Sequence, residues 1–173
     1  VKNRRLKYEI AYDIVDFEVA FRYLDPKIND YSIHSVLYTG TSFYKDISTA
    51  KKRKLEKNRE KAYQGSIQHF MRSLYNKNLR EERFNIFHKK FQVDEWKFFK
   101  VEEVNDSSFK KVTLSLVVDI LFDMKHQSKL SPLVTHFYVD QYGNYTPIVE
   151  ILFSGVMGEQ RIGDLLPSNY GLD

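Results

Sequence analysis

The residues best suited to chemistry gather in one stretch, KNREKAYQGSIQHFMRSL (residues 57–74), where Arg59, Ser66 and His69 lie within three helical turns. An imidazole near a guanidinium, with Asp164 supplied by the tail, is raw material for a hydrolytic site. The motifs that turn such material into a mechanism are missing. The five histidines open the strings HSVL, HFMR, HKKF, HQSK and HFYV, none of which is an H-E-x-x-H zinc site. Ser66 follows Gly65 directly and Ser154 sits in FSGVMG, so neither forms a G-x-S-x-G elbow. There is no Gly-rich phosphate loop, no metal-ligand set and no cofactor motif. Glu81-Glu82, Glu102-Glu103 and Asp140 could supply an acid and a base, but paired loop acids are ordinarily solvated surface.

Around His69 the small residues Ala62, Gly65, Ser66 and Ser73 form one flank of the expected helix. A mid-helix Gly costs about 1 kcal/mol against Ala, which close backbone approach would offset. His69 lies on this flank, about 120° from the apolar stripe by helical geometry. Its plainest role is a hydrogen bond to a neighbouring strand or to the C-terminal segment. Arg59 is placed to meet a carboxylate such as Asp164. His69 and Arg59 would then tie the tail, Arg161 to Tyr170, onto the helix.

The cations Lys51, Lys52, Arg53 and Lys54, with Lys57 and Lys61, form a candidate patch for an anionic partner. They fall in the first turns of the expected helix, where the macrodipole disfavours positive charge. Solvation is the commonest reason for such a run, anionic lipid or polysaccharide the next. Nucleic acid comes last, because the aromatic interleaving of single-strand binders is absent.

Hydrophobic periodicity supplies the elements that must hold these groups. Residues 48–76 read as one helix with Tyr63, Ile67, Phe70 and Leu74 in a stripe beside Met71. Asp46 or Ser48 would cap its start, and Asn76 or Asn78 its end. Tyr8, Ile10 and Tyr12 alternate on one parity, and Phe17, Val19, Phe21 and Tyr23 on the other. The slip near Asp13–Asp16 calls for a turn or a bulge, either of which keeps an aromatic face buried. A turn over residues 25–30 leads to a strand from Tyr31 that ends at Gly40. Further strands are expected over 84–88, 96–104 and 112–122, with a closing hairpin of 136–140 and 148–153. The tail predicts one short helical turn before Pro167. The expected fold is a single α+β domain over 1–173: mostly antiparallel sheet packed on one long helix.

At 173 residues and 42% hydrophobic content, the chain can build a real core. With no cysteine, disulfides and thiolate chemistry are excluded, while the compartment stays open. No apolar run is long enough to span a membrane as a helix. From Asp123 onward three cations face six carboxylates, a net −3, which leaves +7 before it out of a total of +4. The start at Val1 reads as that of an excised piece of a longer protein.

Two blocks, KNREKAYQGSIQHFMRSLYNKNL and FYVDQYGNYTPIVEILFSGVMGEQRIGDLLPSNYG, resemble the conserved region of Bacteroidetes envelope proteins termed carboxypeptidase-like regulatory domain-containing. The first block supplies Arg59, Gly65, Ser66 and His69; the second supplies Gly143, Arg161, Asp164, Pro167 and Tyr170. In that group a non-catalytic β-sandwich precedes a region of this kind. The resemblance implies an exported protein of the cell envelope, periplasmic or at the outer membrane, of which this chain is a fragment. It implies a non-enzymatic module making protein or glycan contacts. The competing expectation is a hydrolase with its site where the long helix meets the C-terminal segment.

Overall fold

The computed structural model describes residues 1–49 and 53–172, and for residues 33–38 the backbone alone. Strand outweighs helix, 42% against 19%, in three antiparallel sheets. The expected α+β fold built round one long helix is therefore overturned: the chain is β-rich, and the three α-helices among the described residues are short. Two compact units divide it, residues 1–48 and residues 49–173.

The first unit is a ribbon. β1 (Lys2–Asn3) pairs with the start of β2 (Tyr8–Asp25), which pairs along its length with β3 (Asp30–Asp46) in the order β1-β2-β3. The expected turn is present, with Asp25 opposite Asp30. The slip is a bulge: Ile14 faces Gly40, Asp16 faces Thr39, and Val15 is the extra residue. Gly40 does not end the strand as expected. It sits inside β3 opposite the bulge, where a β-carbon would collide with the Asp13 carbonyl.

The second unit opens with α1 (Arg53–Tyr63) and α2 (Ile67–Asn76), separated where one rod was expected. Gly65 is left-handed at φ 73°, which stops α1. Ser66 is extended, and its hydroxyl accepts the His69 backbone N–H at 3.0 Å, which starts α2. A β-carbon on Gly65 would lie 2.7 Å from the Phe122 ring, so the break is also a point of close packing. The two helices differ in kind: α1 buries no residue, whereas α2 buries every residue from His69 to Leu74. α2 ends at Lys77, left-handed at φ 56°, between the two asparagines expected to do this.

β4 (Phe84–His88) forms as expected and turns into β5 (Phe91–Gln92). The strand expected over 96–104 is a short helix, α3 (Glu95–Phe98), followed by β6 (Lys100–Glu103), because Asp94 caps the Trp96 N–H. The alternating run 112–122 is two strands in two sheets, β7 (Lys110–Thr113) and β8 (Val118–Phe122). Leu116, 49% exposed, marks the crossing between them. β9 (His126–Pro132), β10 (His136–Val139), β11 (Tyr145–Thr146) and β12 (Ile151–Gly155) complete the unit. β10 forms its hairpin with β11; β12, its expected partner, pairs with β9 instead. The sheets run β11-β10-β7-β6 and β12-β9-β8-β4-β5. Phe70, Met71 and Leu74 of α2 join residues of both sheets, among them Phe84, Phe137 and Ile151, in one core. The turn expected in the tail is a 3-10 turn at Ile162–Asp164. No helix among the described residues is long and apolar enough to cross a membrane.

Candidate functional site

His69 is 3% exposed, and both its ring nitrogens are engaged. The Gly65 N–H donates to Nδ1 at 3.1 Å, so Nε2 carries the proton and donates to Glu82 Oε2 at 2.9 Å. The rings of Tyr63, Phe84 and Phe122 pack around the imidazole with centroids at 4.7, 4.9 and 5.6 Å. Burial lowers its pKa from the usual 6.5, against an opposing pull from the Glu82 hydrogen bond and charge. A neutral imidazole with no lone pair to spare and three aromatic walls acts as a lock on the helix break. It holds Gly65 from one side and the half-exposed Glu82 from the other.

The tie between α2 and the tail runs through Gln68 and Arg72, neither of which the sequence singled out. Arg72, 5% exposed, donates from Nη1 to Tyr170 O and from Nη2 to Ser168 O, both at 2.6 Å, and from Nε to Tyr142 O at 3.1 Å. Its guanidinium also lies 5.3 Å from the Tyr63 ring centre. Gln68 Nε2 donates to Pro167 O and Ser168 O, each at 3.1 Å. A buried cation held by carbonyl dipoles fixes three backbone positions at once, and each charge-assisted bond is worth about 1.5–3 kcal/mol. Nothing in the sequence marks the tail carbonyls as acceptors.

The remaining residues of the expected site hold other positions. Ser66 is buried and consumed as a helix cap. Tyr170 is half-buried, its ring 5.6 Å from that of Tyr63. Arg161 precedes the 3-10 turn and Asp164 ends it, both exposed, and the Asp164 N–H donates to Arg161 O at 2.8 Å. Arg59 is half-buried on α1. Of the cationic patch, Lys51 and Lys52 lie outside the described residues; Arg53, Lys54, Lys57 and Lys61 are exposed on α1. Because that helix ends at Tyr63, Lys61 occupies its last turn, where the dipole favours a cation.

A second surface lies on the ribbon. The extra residue at Val15 restores the parity that the sequence loses, so Ile10, Tyr12 and Ile14 share a face with Phe17, Val19 and Phe21. The other face of β2 carries Glu9, Asp13, Asp16 and Glu18. Tyr8 and Ile10 are buried, but beyond them the apolar face is open: Ile14 is 56% exposed and Phe17 59%. Phe21 packs edge-on against Tyr31 at 6.1 Å, and both remain exposed. The bulge thus does what the alternation demanded, yet the aromatic face it preserves meets solvent. Open apolar surface of this extent marks sites of contact on folded proteins.

No protein-family model matches the chain, and no curated protein or solved structure is similar to it.

Proposed function

We propose that this chain is a non-enzymatic module of the cell envelope that makes protein or glycan contacts through the apolar face of its β2–β3 ribbon. The observation that carries the reading is that face: Ile14, Phe17, Phe21 and Tyr31 are exposed on one side of a two-stranded ribbon, while β2 places Glu9, Asp13, Asp16 and Glu18 on the other. Aromatic side chains present large contact area at low entropic cost, and they suit either a protein surface or the flat face of a sugar ring. The envelope location rests on the two blocks that resemble Bacteroidetes carboxypeptidase-like regulatory domain-containing proteins. The closed surroundings of His69 support a scaffold role for the second unit, because an acid–base catalyst needs a ring nitrogen within reach of substrate. The cations of α1 supply a secondary, salt-sensitive attraction to anionic polysaccharide or lipid.

The test compares the intact chain with Phe17→Ser/Phe21→Ser and with Lys54→Glu/Lys57→Glu, on a glycan array and in cross-linking to an envelope extract. Loss of a bound glycan or cross-linked protein in the first variant, and its persistence at reduced strength in the second, is the expected pattern. Binding indifferent to the ribbon substitutions would overturn the assignment.

A further inference from the structure

β3 is the last strand of its sheet: over 17 residues it pairs with β2 on one side and with no described strand on the other. Natural edge strands are usually blunted by charge, by proline or by shortness. Between Tyr31 and Tyr44 β3 contains no Asp, Glu, Lys, Arg or Pro, and its one departure from a regular edge is the bulge at His34. β2 differs, with Glu9, Asp13, Asp16, Glu18 and Arg22 spread along it. β3 therefore has the composition of an interior strand in an edge position.

We propose that the outer edge of β3 pairs with a second copy of this chain, antiparallel and edge to edge. Charge complementarity selects the partner and the register. Asp30, Lys45 and Asp46 are the charged residues of β3. Two copies aligned with Asp30 opposite Lys45 gain an opposite-charge pair at each end and no like-charge pair between, whereas a slip of one residue sets Asp30 against Asp46 at both ends. The slip would also flip every side chain to the wrong face. His34, the extra residue of β3 between the Ala20–Ser35 and Phe21–Ile33 pairs, stays out of the new ladder in each copy, which brings the two-fold axis onto Tyr38. A two-fold axis perpendicular to the sheet keeps the apolar faces of both ribbons on the same side. The contact face doubles in width without being covered. The inference deepens the contact reading and rests on it for its purpose, though the pairing stands on the edge alone.

Sedimentation equilibrium of the intact chain across the micromolar range tests it, with amide hydrogen exchange over residues 39–44 as a local readout. A dimer is expected, with protection of those amides rising as concentration rises. Asp30→Lys should raise the dimer dissociation constant about tenfold by turning two opposite-charge pairs into two like-charge pairs. Adding Lys45→Asp should restore it, and circular dichroism checks that both variants fold. A monomer at every concentration overturns the proposal, as does a dimer insensitive to Asp30→Lys. A monomer that still loses its contacts in Phe17→Ser/Phe21→Ser defeats the pairing and leaves the contact reading standing. A charge-sensitive dimer whose binding ignores those substitutions does the reverse.

Discussion

α2 and the β2–β3 ribbon treat their apolar residues in opposite ways. α2 buries six consecutive residues, polar ones included, and satisfies His69, Arg72 and Ser73 with named partners. The ribbon keeps a longer apolar face in register, bulge and all, and leaves it in water. A buried imidazole and guanidinium look more like chemistry than a row of phenylalanines does. Here the polar groups serve architecture, and the unpartnered hydrocarbon surface is the better mark of function.

That contrast breaks most visibly at Arg72. Arg72→Met should destabilise the chain by about 3 kcal/mol, since it removes three charge-assisted bonds that tie the half-buried tail and the Tyr142 turn to α2. The urea midpoint measures it, and a change under about 1 kcal/mol would place the tail elsewhere in solution. Gly65→Ala comes next. It forces a left-handed φ on a residue with a β-carbon and pushes that carbon into Phe122, for a cost of about 2 kcal/mol by the same melt.

A smaller effect sharpens the comparison through pH. The folded state holds His69 neutral, with its pKa below 6.5. Below 6.5 the unfolded chain therefore binds more protons, so the contribution of His69 is complete above that value and is lost as pH falls toward the folded pKa. A protonated ring cannot accept the Gly65 N–H, so the loss begins at the helix break. Urea midpoints from pH 8 to 5 should fall for the native chain and flatten for His69→Gln, which itself costs about 1 kcal/mol at pH 7.5. The smallest effect belongs to the ribbon. Phe17→Ser should shift stability by less than about 0.5 kcal/mol, because an exposed side chain has little packing to lose.

Local features of this fold were legible in the sequence, and pairings were not. The strand at Phe84–His88, the turn between Asp25 and Asp30, and the phase slip near Asp13–Asp16, left open between turn and bulge, follow from alternation and turn chemistry. Alternation also singled out Val112, Leu114, Leu116, Val118, Ile120 and Phe122, of which all but Leu116 are buried. It could not reveal that the run changes sheets at Leu116, because a period of two says nothing about which neighbour a strand selects. β12 choosing β9 over β10 is the same failure. The helix break was different, because its signal was present: a Gly able to end a helix, followed at once by a Ser able to begin one. The continuous stripe of Tyr63, Ile67, Phe70 and Leu74 outweighed it, since a break that restarts in nearly the same phase leaves periodicity intact. In the site, His69 and Ser66 were legible as polar groups set against a core. Glu82, read as a solvated member of a carboxylate pair, and Arg72 became visible only once the tail and β4 were in place.

Whether the ribbon's hydrocarbon face is open in the native protein decides between scaffold and surface most directly. The measurement is fluorescence of an apolar dye added to the intact, folded chain and to Phe17→Ser/Phe21→Ser. Strong enhancement by the native chain, largely abolished in the double variant at unchanged circular dichroism, is the predicted result. Equal and weak fluorescence from both proteins would mean that the face is covered, and would contradict the account.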